Sequence, residues 1–252
     1  MSGFALALKD PAAPPEAAAG FLSDSGFADK DAAREFVRRN PGFLGRALTP
    51  EAAEKLKAAA DAAGLASALF DEEELKPPPL PLRAARLEPK GTGFNVQAGG
   101  AIVFMKYEDI RLIAAAAYDA PVPPASQEAL KASVFEGIRR LAGLPGYEPA
   151  LSEPPKDTFF RADVVMADGT RLLLEPETLD FSALGPARTH SSLVNFRTLL
   201  DALSAPAFKA AKNAFLLTFL ASKPIAAIKT AGPDACDTAL SLLLLLTSKR
   251  TD

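Results

Sequence analysis

The chain has 252 residues, 48% hydrophobic and 23% charged, with a formal net charge of −3. That composition excludes a wholly disordered chain, and the absence of a basic excess argues against a nucleic-acid-binding protein. Cys236 is the only cysteine, so no intramolecular disulfide can form, and a reducing compartment is expected.

The first residues, Met1 to Pro15, lack the basic start and long apolar core of a secretory signal, so a soluble cytoplasmic protein is expected. Gly3 to Lys9 reads as a short strand bounded by Asp10-Pro11. Pro14-Pro15 opens a helix in which Ala18, Phe21 and Leu22 share one face, and Gly26 stops it. Asp29 caps a second helix with Ala32, Ala33, Phe36 and Val37 inward and Lys30, Arg34, Arg38 and Arg39 outward. Asn40-Pro41-Gly42 ends it. Phe43 to Leu48 reads as a strand or extended connector. Thr49-Pro50-Glu51 starts a third helix with Ala52, Ala53, Leu56, Ala59, Ala60 and Ala63 inward. Gly64 stops it before a closing strand, Leu65 to Phe70.

The order strand, two helices, strand, helix, strand resembles the C-terminal domain of ribosomal protein L7/L12. The resemblance is carried by Asn40-Pro41, Leu44, Leu48, Ala53-Glu54-Lys55-Leu56-Lys57 and Ala63-Gly64, with Phe4 to Lys9 and Asp31 to Val37 upstream. It covers under a third of the chain and implies a βααβαβ fold. It also implies a partner-binding face around Gly26, Phe27, Lys30 and Arg34. That family meets translation GTPases through a lysine-bearing first helix. Here no Lys or Arg lies between Asp10 and Ala28, Ala28 replaces the second turn glycine, and Asp31 replaces a lysine. The fold is therefore implied, and the translation role is not.

Pro77 to Pro81 reads as a polyproline spacer, with Pro78 and Pro81 making only a formal PxxP. This divides the chain into an N-terminal module, 1–76, and a β-rich domain, 82–252. In the latter, Leu82 to Leu87, Gly93 to Ala98 and Ala101 to Lys106 read as strands. Ile110 to Tyr118 reads as strand or helix. Asp168-Gly169 between apolar runs predicts a hairpin of Phe159–Met166 with Thr170–Pro176. Ser192 to Leu203 reads as a helix, as do Ala207 to Ala221 and Ala235 to Ser248, the last two apolar nearly all round. Residues 126–142 read as a helical insertion. The expected class is α+β, the second domain a curved sheet or small barrel closed by a helix. In element order it is similar to pleckstrin-homology-like domains.

Catalytic signatures are weak. Gly91-Thr92-Gly93 lacks a third glycine, since Val96 stands there, and reads as a hairpin turn. His190 beside Ser191 and Ser192 reads as a loop or cap residue, because sequence neighbours rarely align as base and nucleophile. Glu108-Asp109 reads as a solvated turn, Cys236 as a small core residue, and Arg34, Arg38, Arg39 and Arg46 as a wet face. One His and one Cys make a protein zinc site implausible. No cofactor or metal is expected. The leading expectation is a non-enzymatic interaction or regulatory protein. The alternatives are a peripheral lipid-binding protein using the β domain and apolar C-terminal helices, and an enzyme of unrecognised type.

Overall fold

The computed structural model describes residues 3–121 and 156–249. The predicted helix at 126–142 lies outside them. The N-terminal part runs β1 (Phe4–Leu8), α1 (Pro15–Asp24), α2 (Lys30–Arg39), β2 (Phe43–Leu48), α3 (Pro50–Ala62) and β3 (Ser67–Asp71). The local signals act as anticipated. Asp29 accepts from the amides of Asp31 and Ala32, and Thr49 accepts from Ala52 N at 3.3 Å. Pro15 and Pro50 sit in the first turns of α1 and α3, where a missing N–H costs nothing.

The three strands form an antiparallel sheet in the order β2-β1-β3. All three helices cover one face, where Phe21, Leu22, Val37 and Leu56 pack on Leu6, Leu8 and Leu44. The other face presents Ala5, Ala7, Phe43 and Phe70. A strand apolar at every position, as β1 is, needs a partner on both sides.

Beyond residue 80 come β4 (Pro81–Pro89), β5 (Gly93–Ala98), β6 (Ala101–Lys106), β7 (Ile110–Pro121), β8 (Lys156–Met166) and β9 (Arg171–Leu174). These are followed by α4 (Ser192–Ser204), β10 (Ala211–Lys212), α5 (Ala214–Leu220) and α6 (Pro233–Ser248). The seven strands β4 to β10 form one sheet in the order β10-β7-β8-β9-β4-β5-β6. The alanine-rich stretch after Ile110 is a strand, paired with β8 over eleven positions. Among the described strands the sheet is open, edged by β10 and β6. The pairs β4–β9 and β10–β7 are parallel and the rest antiparallel.

One expected helix is corrected. Ala207 to Ala221 is not continuous: β10 and α5 share it. Asn213 is the reason. Its Oδ1 accepts from Leu216 N at 3.1 Å, capping α5, and from Ala115 N at 3.0 Å, while its Nδ2 donates to Ala115 O at 2.8 Å. A side-chain amide thus extends the ladder on β7 by one rung and starts the helix.

α4 and α5 pack one face of the large sheet through Phe196, Leu199, Leu200, Leu203, Phe215, Leu216 and Phe219. α6 covers the opposite face, with Leu240 and Leu243 against Leu112, Ala114 and Val165. Its other side, Leu242 and Leu246, covers the free face of the small sheet. The apolar C-terminal helix therefore fills the space between two sheets, which explains why it is apolar nearly all round. Among the described residues, no helix is long and apolar enough to cross a membrane.

Candidate functional site

A wide concavity among the described residues lies where the N-terminal part meets the chain before α6. It is a groove of about 780 Å³. One wall is α1, through Pro15, Glu16, Ala19, Gly20, Ser23 and Asp24. The next is α2, through Lys30, Arg34, Val37 and Arg38, and the third is the segment 226–230 with Asp119. Lys30, Arg34, Val37 and Arg38 fall on one stripe because helical neighbours recur every three or four residues.

The third wall is fastened at several points. Ala231 N donates to Arg38 O at 2.9 Å, and Thr230 N donates to Ala117 O at 2.9 Å. Lys229 Nζ donates to Asp119 Oδ1 and to Thr158 Oγ1, both at 2.8 Å. The Lys229 hydrogen bond, helped by Thr158, holds the Asp119 carboxyl below its ordinary value. The cations on the α2 side are held more loosely: Arg34 lies 3.7 Å from Asp31 and Arg38 3.4 Å from Glu35, both pairs well exposed. Exposed pairs of this kind contribute little and are free to exchange partners.

The structure brings Lys30 and Arg34 into this groove. Gly26 and Phe27 sit at the turn between α1 and α2, outside its lining. Gly26 has φ +70°, a conformation that favours glycine, and Phe27 is half-exposed with its ring 6.2 Å from that of Phe21.

A second cluster, absent from the sequence reading, lies under α6. Arg161 (β8) donates to Asp163 through Nε at 3.1 Å and Nη2 at 2.9 Å, and to Asp237 (α6) at 2.9 Å. Arg171 (β9) donates to Asp163 at 2.7 Å, to Asp237 at 2.7 Å and to Pro79 O at 3.0 Å. Arg161, Asp163 and Arg171 are buried; Asp237 is the edge that meets water. Burial opposes the Arg161 charge, but Asp163 foremost among its neighbours more than restores it, and the net shift is upward. Burial likewise raises Asp237, yet the Arg171 hydrogen bond and the charges of Arg161 and Arg171 outweigh it and hold the carboxyl low. Cys236 lies beside this network in a cavity of about 80 Å³, its Sγ 3.3 Å from Thr230 Oγ1. Burial pushes its thiol up, only partly offset by Thr230 and Arg161. Two arginines and two aspartates saturating each other form a structural clamp between sheet and helix.

The other candidates are dispersed. His190 is exposed, and it is Ser191 that caps α4, accepting from Val194 N at 3.3 Å. Glu108 and Asp109 occupy an exposed turn. Gly91 to Gly93 is the β4–β5 turn, closed by Lys90 N donating to Gly93 O at 2.7 Å. Arg46 pairs with Glu72 at 3.1 Å, away from the groove. Among the described residues, no group of three or more His, Cys, Asp or Glu could hold a metal ion. No family model, no curated protein and no solved structure matches this chain.

Proposed function

We propose that the chain is a non-enzymatic interaction protein. It takes a segment of another protein into the groove between α1, α2 and residues 226–230. The observation that carries this reading is the placement of Lys30 and Arg34. These positions, singled out by resemblance to the L7/L12 C-terminal domain, stand with Val37 and Arg38 on one wall of the groove. Small apolar residues (Ala19, Val37, Ala226, Ile228) line it, and the cations of α2 rim it. Such a lining suits an extended or helical segment with small apolar side chains and acidic flanks. The β2-β1-β3 antiparallel order and the βααβαβ succession support an L7/L12-like module. The pleckstrin-homology-like reading keeps less support: a helix on a sheet remains, but two strand pairs run parallel. A cytoplasmic setting agrees with a single buried, unpaired cysteine.

The lipid-binding reading uses the β domain and the apolar C-terminal helices, and the helices give it little apolar surface. Phe215, Leu216 and Phe219 of α5 and Leu240, Leu242, Leu243 and Leu246 of α6 are buried. An enzyme would need convergent polar groups with shifted proton affinity, free to react. Asp119 and Asp237 are shifted, but each is engaged by cations, Lys229 or the two arginines.

The test compares proteins cross-linked to the wild-type chain, to Lys30→Glu/Arg34→Glu, and to a control reversal on α3, Lys55→Glu. Loss of the same partner only in the double variant, with its cross-links to the wild-type chain mapping to α1, α2 or 226–230, supports the reading. Equal recovery in all three overturns it.

A further inference from the structure

β6 ends the large sheet, with β5 on one side and no described strand on the other. Natural edge strands are usually blunted by charge, proline or a bulge, because their free N–H and C=O groups recruit other strands. β6 has none of these before Lys106, and its register with β5 runs unbroken from Gly93↔Lys106 to Ala98↔Ala101. It exposes Ile102 at 70%, and Val103 and Phe104 at 49% each. These residue types favour pleated structure.

Gly99 and Gly100, with φ +56° and +83°, make a two-residue hairpin loop, so Ala98 and Ala101 bond to each other. Bonding alternates along an antiparallel ladder, so Ala101, Val103 and Met105 face β5 while Ile102, Phe104 and Lys106 face outward. Tyr107 N donating to Thr92 O keeps the same phase.

We propose that β6 pairs antiparallel with β6 of a second copy of this chain, about a two-fold axis at Val103, making one sheet across both copies. A two-fold axis perpendicular to the sheet keeps each side chain on its own face, so only residues of like facing can oppose. Centred on Val103, Ile102 meets the second copy's Phe104, and their outward backbone groups, which no described strand pairs, bond to each other. Val103 meets its own counterpart and Ala101 meets Met105. Lys106 falls opposite Gly100, so no like charges meet. Centred one residue later, Lys106 would oppose Ile102; one earlier, Phe104 would oppose the glycine turn. A single pairing of six-residue strands is smaller than the ~1,600 Å² of a standard stable interface, so the dimer is concentration-dependent.

The test is sedimentation velocity of the full chain over a concentration series, with Val103→Lys as the disruptive variant and Val103→Cys as the register probe. The wild type is expected to shift from monomer to dimer, and Val103→Lys, which sets like charges opposite, is expected to stay monomeric. In the proposed register the two Val103 positions form a non-hydrogen-bonded pair with Cα atoms about 4.5 Å apart. That lies within the ~4.4–6.8 Å a disulfide spans. Oxidised Val103→Cys should therefore form a covalent dimer, whereas Ile102→Cys, offset from its own counterpart, should not. A wild type that stays monomeric overturns the proposal. So does a dimer that survives Val103→Lys, or equal cross-linking by both cysteine variants.

Discussion

Asp163 on β8 and Arg171 on β9 meet at 2.7 Å as diagonal neighbours of the hairpin, both buried under α6. Among the described residues, their charges are compensated by the other members of the network, and Arg171 also donates to Pro79 O. Removing one partner leaves buried charge uncompensated, which costs about 3–5 kcal/mol. Asp163→Ala is expected to lower stability by that amount in urea unfolding. Replacing the whole set, with Arg161→Met, Asp163→Val, Arg171→Met and Asp237→Ala, should recover most of the loss, because desolvating the charges no longer has to be offset. A full-set variant no more stable than Asp163→Ala would show that the network itself holds the helix.

The hairpin carrying this pair is legible in sequence, from Asp168-Gly169 between apolar runs. The pair is not. In a strand such as Phe159–Met166, Arg161 and Asp163 alternate with apolar residues, and alternation ordinarily means a wet face. They are dry because α6, some seventy positions later, covers them (Arg161 to Asp237 spans 76 residues). The leucines of α6 announce a need for cover on all sides but do not say which surfaces supply it. The groove is legible only in part. Lys30 and Arg34 come from a local pattern, whereas Lys229 and Asp119 join them through long-range pairing. Asn213 is missed for a similar reason: its amide acts on β7, 98 positions away.

Acid should loosen the joints between the two sheets. Glu74 accepts from Lys249, beyond the end of α6, at 2.7 Å, and this bond holds its carboxyl low. Asp119 is held low by Lys229, and Asp237 is low on balance despite its burial. A carboxyl with a depressed folded value contributes stability that is complete above its unfolded value, about 4, and lost as pH falls through the folded one. The urea midpoint should therefore hold on the neutral side and fall on acidification below about pH 4. Asp237→Asn is expected to flatten that acid limb; an unchanged slope would remove Asp237 from the account.

Ala47 adopts φ 50°, in the left-handed region, at an exposed end of β2. Glu72 maintains it, Oε1 accepting from Ala47 N at 2.8 Å and from Arg46 Nε at 3.1 Å. A non-glycine residue there costs about 1–2 kcal/mol, and glycine's extra freedom in the unfolded chain takes back about 0.4–1. Ala47→Gly should leave stability unchanged or raise it by up to about 1.6 kcal/mol by denaturant titration, against the usual sign of an alanine-to-glycine change. A clear loss of stability would mean that Glu72 holds the turn without strain.

Leu242 and Leu243 are neighbours on α6 yet belong to different cores, Leu242 with Phe43 and Phe70, Leu243 with Leu112 and Val165. The helix is thus common to both sheets, and Leu242→Ala should cost about 2–5 kcal/mol in one transition rather than splitting unfolding into two. Gly42 bears on the same spot. It has φ +86°, and a Cβ there would stand 2.8 Å from Leu242 Cδ2. Gly42→Ala alone combines backbone strain with a clash. In the Leu242→Ala background only the strain remains, and the new methyl enters the cavity left behind. The double variant is therefore expected to lose less than the sum of the singles. Amide exchange in β1 and β3 provides the local readout: it should quicken in Leu242→Ala and in Gly42→Ala. Additive losses would show that Gly42 and Leu242 act on stability independently.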